Sequence, residues 1–197
     1  MTRTAVITGL GATTPIGGDV PTFWSHALQG VSGARTMEHD WVEKYELPVT
    51  FAAELAVPTS EVLSKVEQKR QDPATQMATV AAREAWKDAG LEGAEVDGDR
   101  LAVAFGTGIG GVWTLLDGWD TLRERGPRRV LPMTVPMLMP NGAAGALSLE
   151  FGARAGARVA APRRGARCAR AGTRGAAHVD LDVGHRQARA AHGPARL

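Results

Sequence analysis

One cysteine and one tyrosine are all that 197 residues contain of either, and the aromatic share is only 5%. A single thiol excludes an internal disulfide and fits a reducing compartment. The opening "MTRTAVITGLG" has one uninterrupted apolar run, Ala5 to Ile7, far short of a signal-peptide core. No stretch approaches the ~18 apolar residues of a membrane span, so the cytoplasm is the expected compartment and no membrane is expected as a partner. Other absences are local. The last 45 residues, Ala153 to Leu197, contain no aromatic side chain, no Lys and no Glu.

That stretch holds ten Arg and two Asp, a net of +8, whereas the first 152 residues hold 13 basic and 19 acidic side chains, a net of −6. The slight overall positive charge is therefore made by the tail, and the rest is an acidic, core-forming piece of domain size. All five Trp, all four Phe and all six Met lie in that piece. The tail is mostly Ala, Arg, Gly and Pro and has little to bury against the entropy of ordering it, so it is expected to be disordered.

Alternating strand and helix signals run along the acidic piece. "TAVITG" (Thr4 to Gly9) is a short β-branched run closed by glycine and predicts a buried strand. Asp19 as cap and Pro21 in the first turn predict a helix ending at Gly30, with Trp24, Ala27, Leu28 and Val31 at helical spacing. "VTFAAELAV" (Val49 to Val57) reads as a strand. Asp72 and Pro73 then open a helix running to Gly90, whose Ala74, Met77, Ala78, Ala81, Ala85 and Ala89 make a small-residue stripe fit for close packing. "RLAVAFGTG" (Arg100 to Gly108) is a further buried strand. This order predicts an α/β fold with a mixed, mostly parallel sheet.

Three stretches could carry chemistry. "GTGIGG", Gly106 to Gly111, satisfies G-x-G-x-x-G between a strand and a helix, the setting in which backbone N–H groups meet a pyrophosphate. The fingerprint lies a hundred residues in, not in the first βα turn, and has no well-spaced ribose acid. A tight turn with Ile109 projecting into a neighbouring cavity is the preferred reading, and no cofactor is expected. In "SKVEQKRQD", Ser64 to Asp72, Lys65 and Lys69 share a helical face with Arg70 beside them, either a solvated surface or a seat for an acidic partner. In "GPRRVLPMTVPMLMPNGAAGALSLEFG", Pro132, Pro136 and Pro140 exclude one regular helix across an apolar, Met-rich segment, and "NGAAGALSLEFG" follows as a short helix.

Together "AVITGLGATTPIGGDVPTFWSHALQGVSGA", "EQKRQDPATQMATVAAREAWKDAGL", "LAVAFGTGIGG" and "GPRRVLPMTVPMLMPNGAAGALSLEFGARAG" resemble the β-ketoacyl-acyl-carrier-protein synthases of fatty-acid synthesis, in family order and close to family spacing. The resemblance runs to about residue 157 and points to the type II condensing enzymes. It implies the N-terminal half of a thiolase-like, layered α/β/α fold over residues 1–157, with residues 158–197 as an appended tail. It also implies acyl transfer to a cysteine at a helix start, then decarboxylative condensation with malonyl-carrier protein. By that resemblance Ile109, with Thr107 and Gly108, lines the acyl-chain pocket. Lys65, Lys69 and Arg70 dock the acidic acyl carrier protein, and the proline-methionine segment lies near the interface of a homodimer.

The family places its nucleophile in a signature like A-C-[AST]-S-G, and by spacing that position falls near Arg164. The cysteine of this chain is Cys168, in "APRRGARCARAGTRGAAH", with no Ser-Gly behind it and no β-branched strand before it. Cys168 is therefore not assigned as catalytic. The second-half histidine motifs are missing. His178, His185 and His192 recur every seven residues without supporting neighbours and are not assigned as metal ligands. The expectation is a truncated fragment, inactive in condensation. The rival readings are a non-catalytic partner subunit of a ketosynthase dimer and a fragment of a polyketide-type ketosynthase. Ten arginines could engage nucleic acid, but nothing beside them stacks on bases, so that partner is not expected. A reading-frame shift in GC-rich coding sequence would produce the sudden Ala/Arg/Gly/Pro bias. Translating the other two frames beyond residue 157 tests this, and finding no cysteine followed by Ser-Gly in either would sink it.

Overall fold

The computed structural model describes residues 5–159 and 176–177. In chain order the elements are β1 (Gly11–Ala12), α1 (Val20–Leu28), β2 (Arg35–Thr36), α2 (Asp40–Lys44), β3 (Phe51–Ala52), α3 (Thr59–Val62), α4 (Lys65–Arg70), α5 (Pro73–Asp88), β4 (Ala102–Phe105), α6 (Val112–Arg125), a 3₁₀ turn (Pro127–Arg129), α7 (Thr134–Leu138), α8 (Gly142–Phe151), β5 (Gly156–Val159) and β6 (Ala176–Ala177). Cys168, the three histidines of the tail and nearly all of residues 158–197 lie outside the described residues.

Helix α5 is the organising element. Asp72 caps it, accepting a 2.9 Å hydrogen bond from the Ala74 amide, and Pro73 occupies the first position, where no N–H is needed. Its small side chains let neighbours approach closely. Ala78, Ala81 and Ala82 pack with Val103 of β4 and with Ala143, Ala144 and Leu147 of α8 in one core cluster. The expected stripe is thus right at Ala78, Ala81 and Ala85, while Ala74, Met77 and Ala89 are only half-buried. At the C-terminal end of α5, Trp86 stacks on Phe151 with ring centroids 4.5 Å apart, fastening α5 to α8.

β4 and β5 pair in parallel, Ala102 opposite Gly156 and Phe105 opposite Val159. β1 pairs antiparallel with β6, and β2 with β3. Among the described residues the fold is therefore mixed, with its parallel pair beside the α5–α8 layer.

Two expectations change. Ala5 to Gly9 form no strand, and Val6 and Ile7 are 74% and 67% exposed. The strand starts at Gly11, and α5 takes two amides just past the apolar run. The Asp88 carboxylate accepts from Leu10 N at 2.9 Å, and Glu84 accepts from Ala12 N at 2.8 Å. The predicted strand Val49 to Val57 shrinks to Phe51–Ala52, since the chain then turns away and the Ala56 amide donates to the Thr14 carbonyl. In the proline segment, Pro136 sits inside the short helix α7, in its first turn, where the missing N–H costs nothing. No single helix crosses Pro132 to Pro140, as the sequence implies.

Candidate functional site

The basic helix α4 is built by a capping box. Ser64 Oγ accepts from the Glu67 amide at 3.3 Å, while the Glu67 carboxylate accepts from Ser64 N at 2.8 Å and from Ser64 Oγ at 2.7 Å. The other Glu67 oxygen accepts from Arg83 Nη2 at 2.5 Å, and Arg83 Nε donates to Glu150 of α8, also at 2.5 Å. These contacts, the Ser64 hydroxyl foremost and the Arg83 guanidinium next, hold the Glu67 carboxyl down at about 2. The same pairing raises the Arg83 guanidinium, chiefly through Glu150.

One acidic side chain of α4 is thereby consumed on the inner side. Lys65, Lys69 and Arg70 are exposed, and none makes an ion pair among the described residues. From below, α4 is held by Gln76 of α5, whose Nε2 donates to the carbonyls of Gln68 at 3.1 Å and Gln71 at 3.0 Å. Gln76 Oε1 in turn accepts from Thr59 Oγ1 at 2.7 Å. The outcome is a fixed helix turn with an outward face of three cations.

Two residues past α4 stands Asp72, only 2% exposed. Its Oδ1 caps α5, and its Oδ2 accepts from the Thr114 amide at 3.1 Å and from Thr114 Oγ1 at 2.7 Å in the first turn of α6. These contacts show what the end of the glycine run packs against. The start of α6, where a dinucleotide phosphate would bind, is already filled by a carboxylate. Gly111 is needed for that approach, since a Cβ there would lie 2.4 Å from the Met137 carbonyl oxygen and 2.9 Å from the Asp72 carboxylate. Gly110 adopts φ +85°, which favours glycine.

The loop that carries Ile109 is held at its base and open at its tip. Thr107 is half-buried, and its Oγ1 accepts from Gly110 N at 3.0 Å; Gly111 N donates to Leu138 O at 3.1 Å. Ile109 is 72% exposed, and nothing stands within 4 Å of a Cβ added at Gly108. Sequence reasoning picked out both basic helix and glycine loop but missed the residues that fix them. Of these, the Ser64–Glu67 pair was readable as S-x-x-E, whereas Arg83 and Thr114 carry no local signal. No group of three or more His, Cys, Asp or Glu side chains among the described residues is placed to hold a metal ion, and no helix among them is long and apolar enough to cross a membrane.

The family model "Beta-ketoacyl synthase, N-terminal domain" matches residues 2–161. The chain is 44% identical over 153 residues to the 3-oxoacyl-[acyl-carrier-protein] synthase 2 of Staphylococcus aureus (strain COL), covering 77% of this chain and 36% of that protein. It is similar in structure to a β-ketoacyl synthase from Burkholderia phymatum STM815, with a TM-score of 0.65 and 26% identity, covering 80% of this chain and 38% of the other. A type II polyketide ketosynthase solved with its acyl-carrier protein and bound to the hexaketide has a TM-score of 0.59 at 23% identity, covering 77% and 40%. The last likeness speaks for the fold alone.

Proposed function

Since the chain belongs to the β-ketoacyl synthase family, matched by that family's N-terminal domain over residues 2–161, we propose that residues 1–157 are the carrier-docking and acyl-channel part of a decarboxylative condensing enzyme. The chain spans 36% of the length of the Staphylococcus aureus relative. The observation that carries the reading is helix α4. Its only carboxylate is turned inward onto Ser64 and Arg83, leaving Lys65, Lys69 and Arg70 to face an acidic carrier. Ile109, Thr107 and Gly108 then form the wall along which the acyl chain enters. The 44% identity to the 3-oxoacyl-[acyl-carrier-protein] synthase 2 of Staphylococcus aureus supports the fatty-acid class of substrate.

In such an enzyme a cysteine thiolate takes the acyl group from the carrier thioester, releasing the carrier thiol. Malonyl-carrier protein loses CO2, and the resulting carbanion attacks the acyl-enzyme carbonyl. The new C–C bond forms as the C–S bond breaks and the cysteine thiolate leaves. The residues of this chain hold the carrier and orient the acyl group. They supply neither the nucleophile signature nor the histidine motifs, and Cys168, flanked by Arg167 and Ala169, does not replace them. A second copy is the expected partner for the proline-methionine segment, where Leu131, Met133, Val135 and Met139 are exposed. The test is purified chain incubated with acyl- and malonyl-carrier protein, with products read by mass. No β-ketoacyl product is expected from the wild type or from Cys168→Ala. A product made by both proteins overturns the inactive reading, and one lost with Cys168→Ala makes Cys168 the nucleophile after all.

A further inference from the structure

We propose that Asp72 is a positioning residue for the acyl wall: through Thr114 its carboxylate fixes the base of the 106–111 loop and so decides where Ile109 stands and which acyl lengths pass. The inference rests on the reading of Ile109 as channel wall and goes beyond it. A carboxylate 2% exposed needs donors on both oxygens, and here the two oxygens serve different helices. Oδ1 takes the Ala74 amide of α5, and Oδ2 takes both the amide and the hydroxyl of Thr114 in α6. Because charge-assisted bonds are short and directional, the start of α6 cannot shift without breaking one. Gly111 lies in van der Waals conflict with any side chain larger than hydrogen, between Asp72 and the Met137 carbonyl. The loop is therefore clamped from two sides just after Ile109. Thr107 Oγ1 closes it internally on Gly110 N, and the tip, Gly108 and Ile109, stands open. A wall residue on a clamped loop selects chain length sharply. One on a loosened loop yields to longer chains.

Asp72 also caps α5, so its replacement confounds folding with positioning. Thr114 separates the two. Thr114→Val keeps shape and the amide bond but removes the 2.7 Å hydroxyl bond, and Thr114→Ser restores it. On the 197-residue chain, amide exchange by mass spectrometry and affinity for octanoyl- and palmitoyl-loaded acyl carrier protein are measured together. Thr114→Val is expected to speed exchange at Gly110 and Gly111 by roughly tenfold while α5 and α8 keep their protection, and to shift the palmitoyl-to-octanoyl affinity ratio by at least about threefold, with Thr114→Ser returning both to wild type. Exchange that rises equally across α5 and α8 makes the contact general scaffolding and overturns the inference. So does local loosening with an unchanged affinity ratio. If the wild type itself prefers neither acylated carrier to the unloaded one, the channel reading fails first, and the inference with it. That failure appears in the unmutated protein and is distinguishable from the other two.

Discussion

Glu67 faces inward because Ser64 and Arg83 hold it there, and this has a pH signature. Its folded carboxyl sits at about 2, below the ordinary 4.5, with the Ser64 hydroxyl bond the larger cause and the Arg83 bond next. A depressed acid contributes stability that is complete above its unfolded value and is lost as pH falls through its folded one. Thermal unfolding of the wild type should therefore fall more steeply than that of Glu67→Gln between about pH 5 and about pH 2.5. Asp19 and Asp99 are lowered as well, by Thr22 and by Arg154, but both remain in the variant, so the difference between the curves belongs to Glu67. Parallel curves would refute the inward Glu67. At this scale the sequence was half legible. Lys65 and Lys69 could be put on one face from spacing alone, but the inward turn of the acid between them could not, because Arg83 lies 16 residues further on and across a helix boundary.

The elements that were readable are those with punctuation at both ends. Asp72 and Pro73 open α5 and Gly90 follows its end; Gly152 closes α8 in the left-handed region at φ +67°. The misread strand before Gly11 shows what punctuation cannot say. An apolar β-branched run pairs only if a strand lies beside it; among the described residues Ala5 to Gly9 pair with none, and α5 carboxylates take the amides of Leu10 and Ala12 just after the run. Glycine carries that arrangement. A Cβ at Gly11 would fall 1.8 Å from the Ala81 carbonyl oxygen and at Gly9 2.2 Å from that of Ala85. Gly11→Ala should push β1 off α5 and destabilise by about 1–3 kcal/mol. Gly145→Ala in α8, where nothing stands within 4 Å of the new Cβ, should stabilise by roughly 0.5–1 kcal/mol. Urea denaturation midpoints compare the two directly. A neutral Gly11→Ala would mean that the contact between β1 and α5 is looser than the structure has it.

Across the whole molecule, the sequence carried the family in four separated segments, and the family model matches residues 2–161. Which apolar faces stay uncovered was not legible. Trp24 and Leu28 of α1 have helical spacing that reads as core, yet both are more than half exposed, as are Trp113 and Trp119 of α6. Periodicity reports that a face is apolar and says nothing of what lies against it. The proposed role of the basic face of α4 is to tie the folded chain to an acidic carrier. It is tested most directly by titrating acyl carrier protein against the wild type, the Lys65→Glu/Lys69→Glu double variant and Lys87→Glu, an equally exposed lysine in the last turn of α5. Binding by the wild type that weakens with added salt, falls by at least about tenfold in the double variant and is unchanged in Lys87→Glu is the predicted result. Equal affinity for all three proteins, at low and high salt alike, would contradict the account.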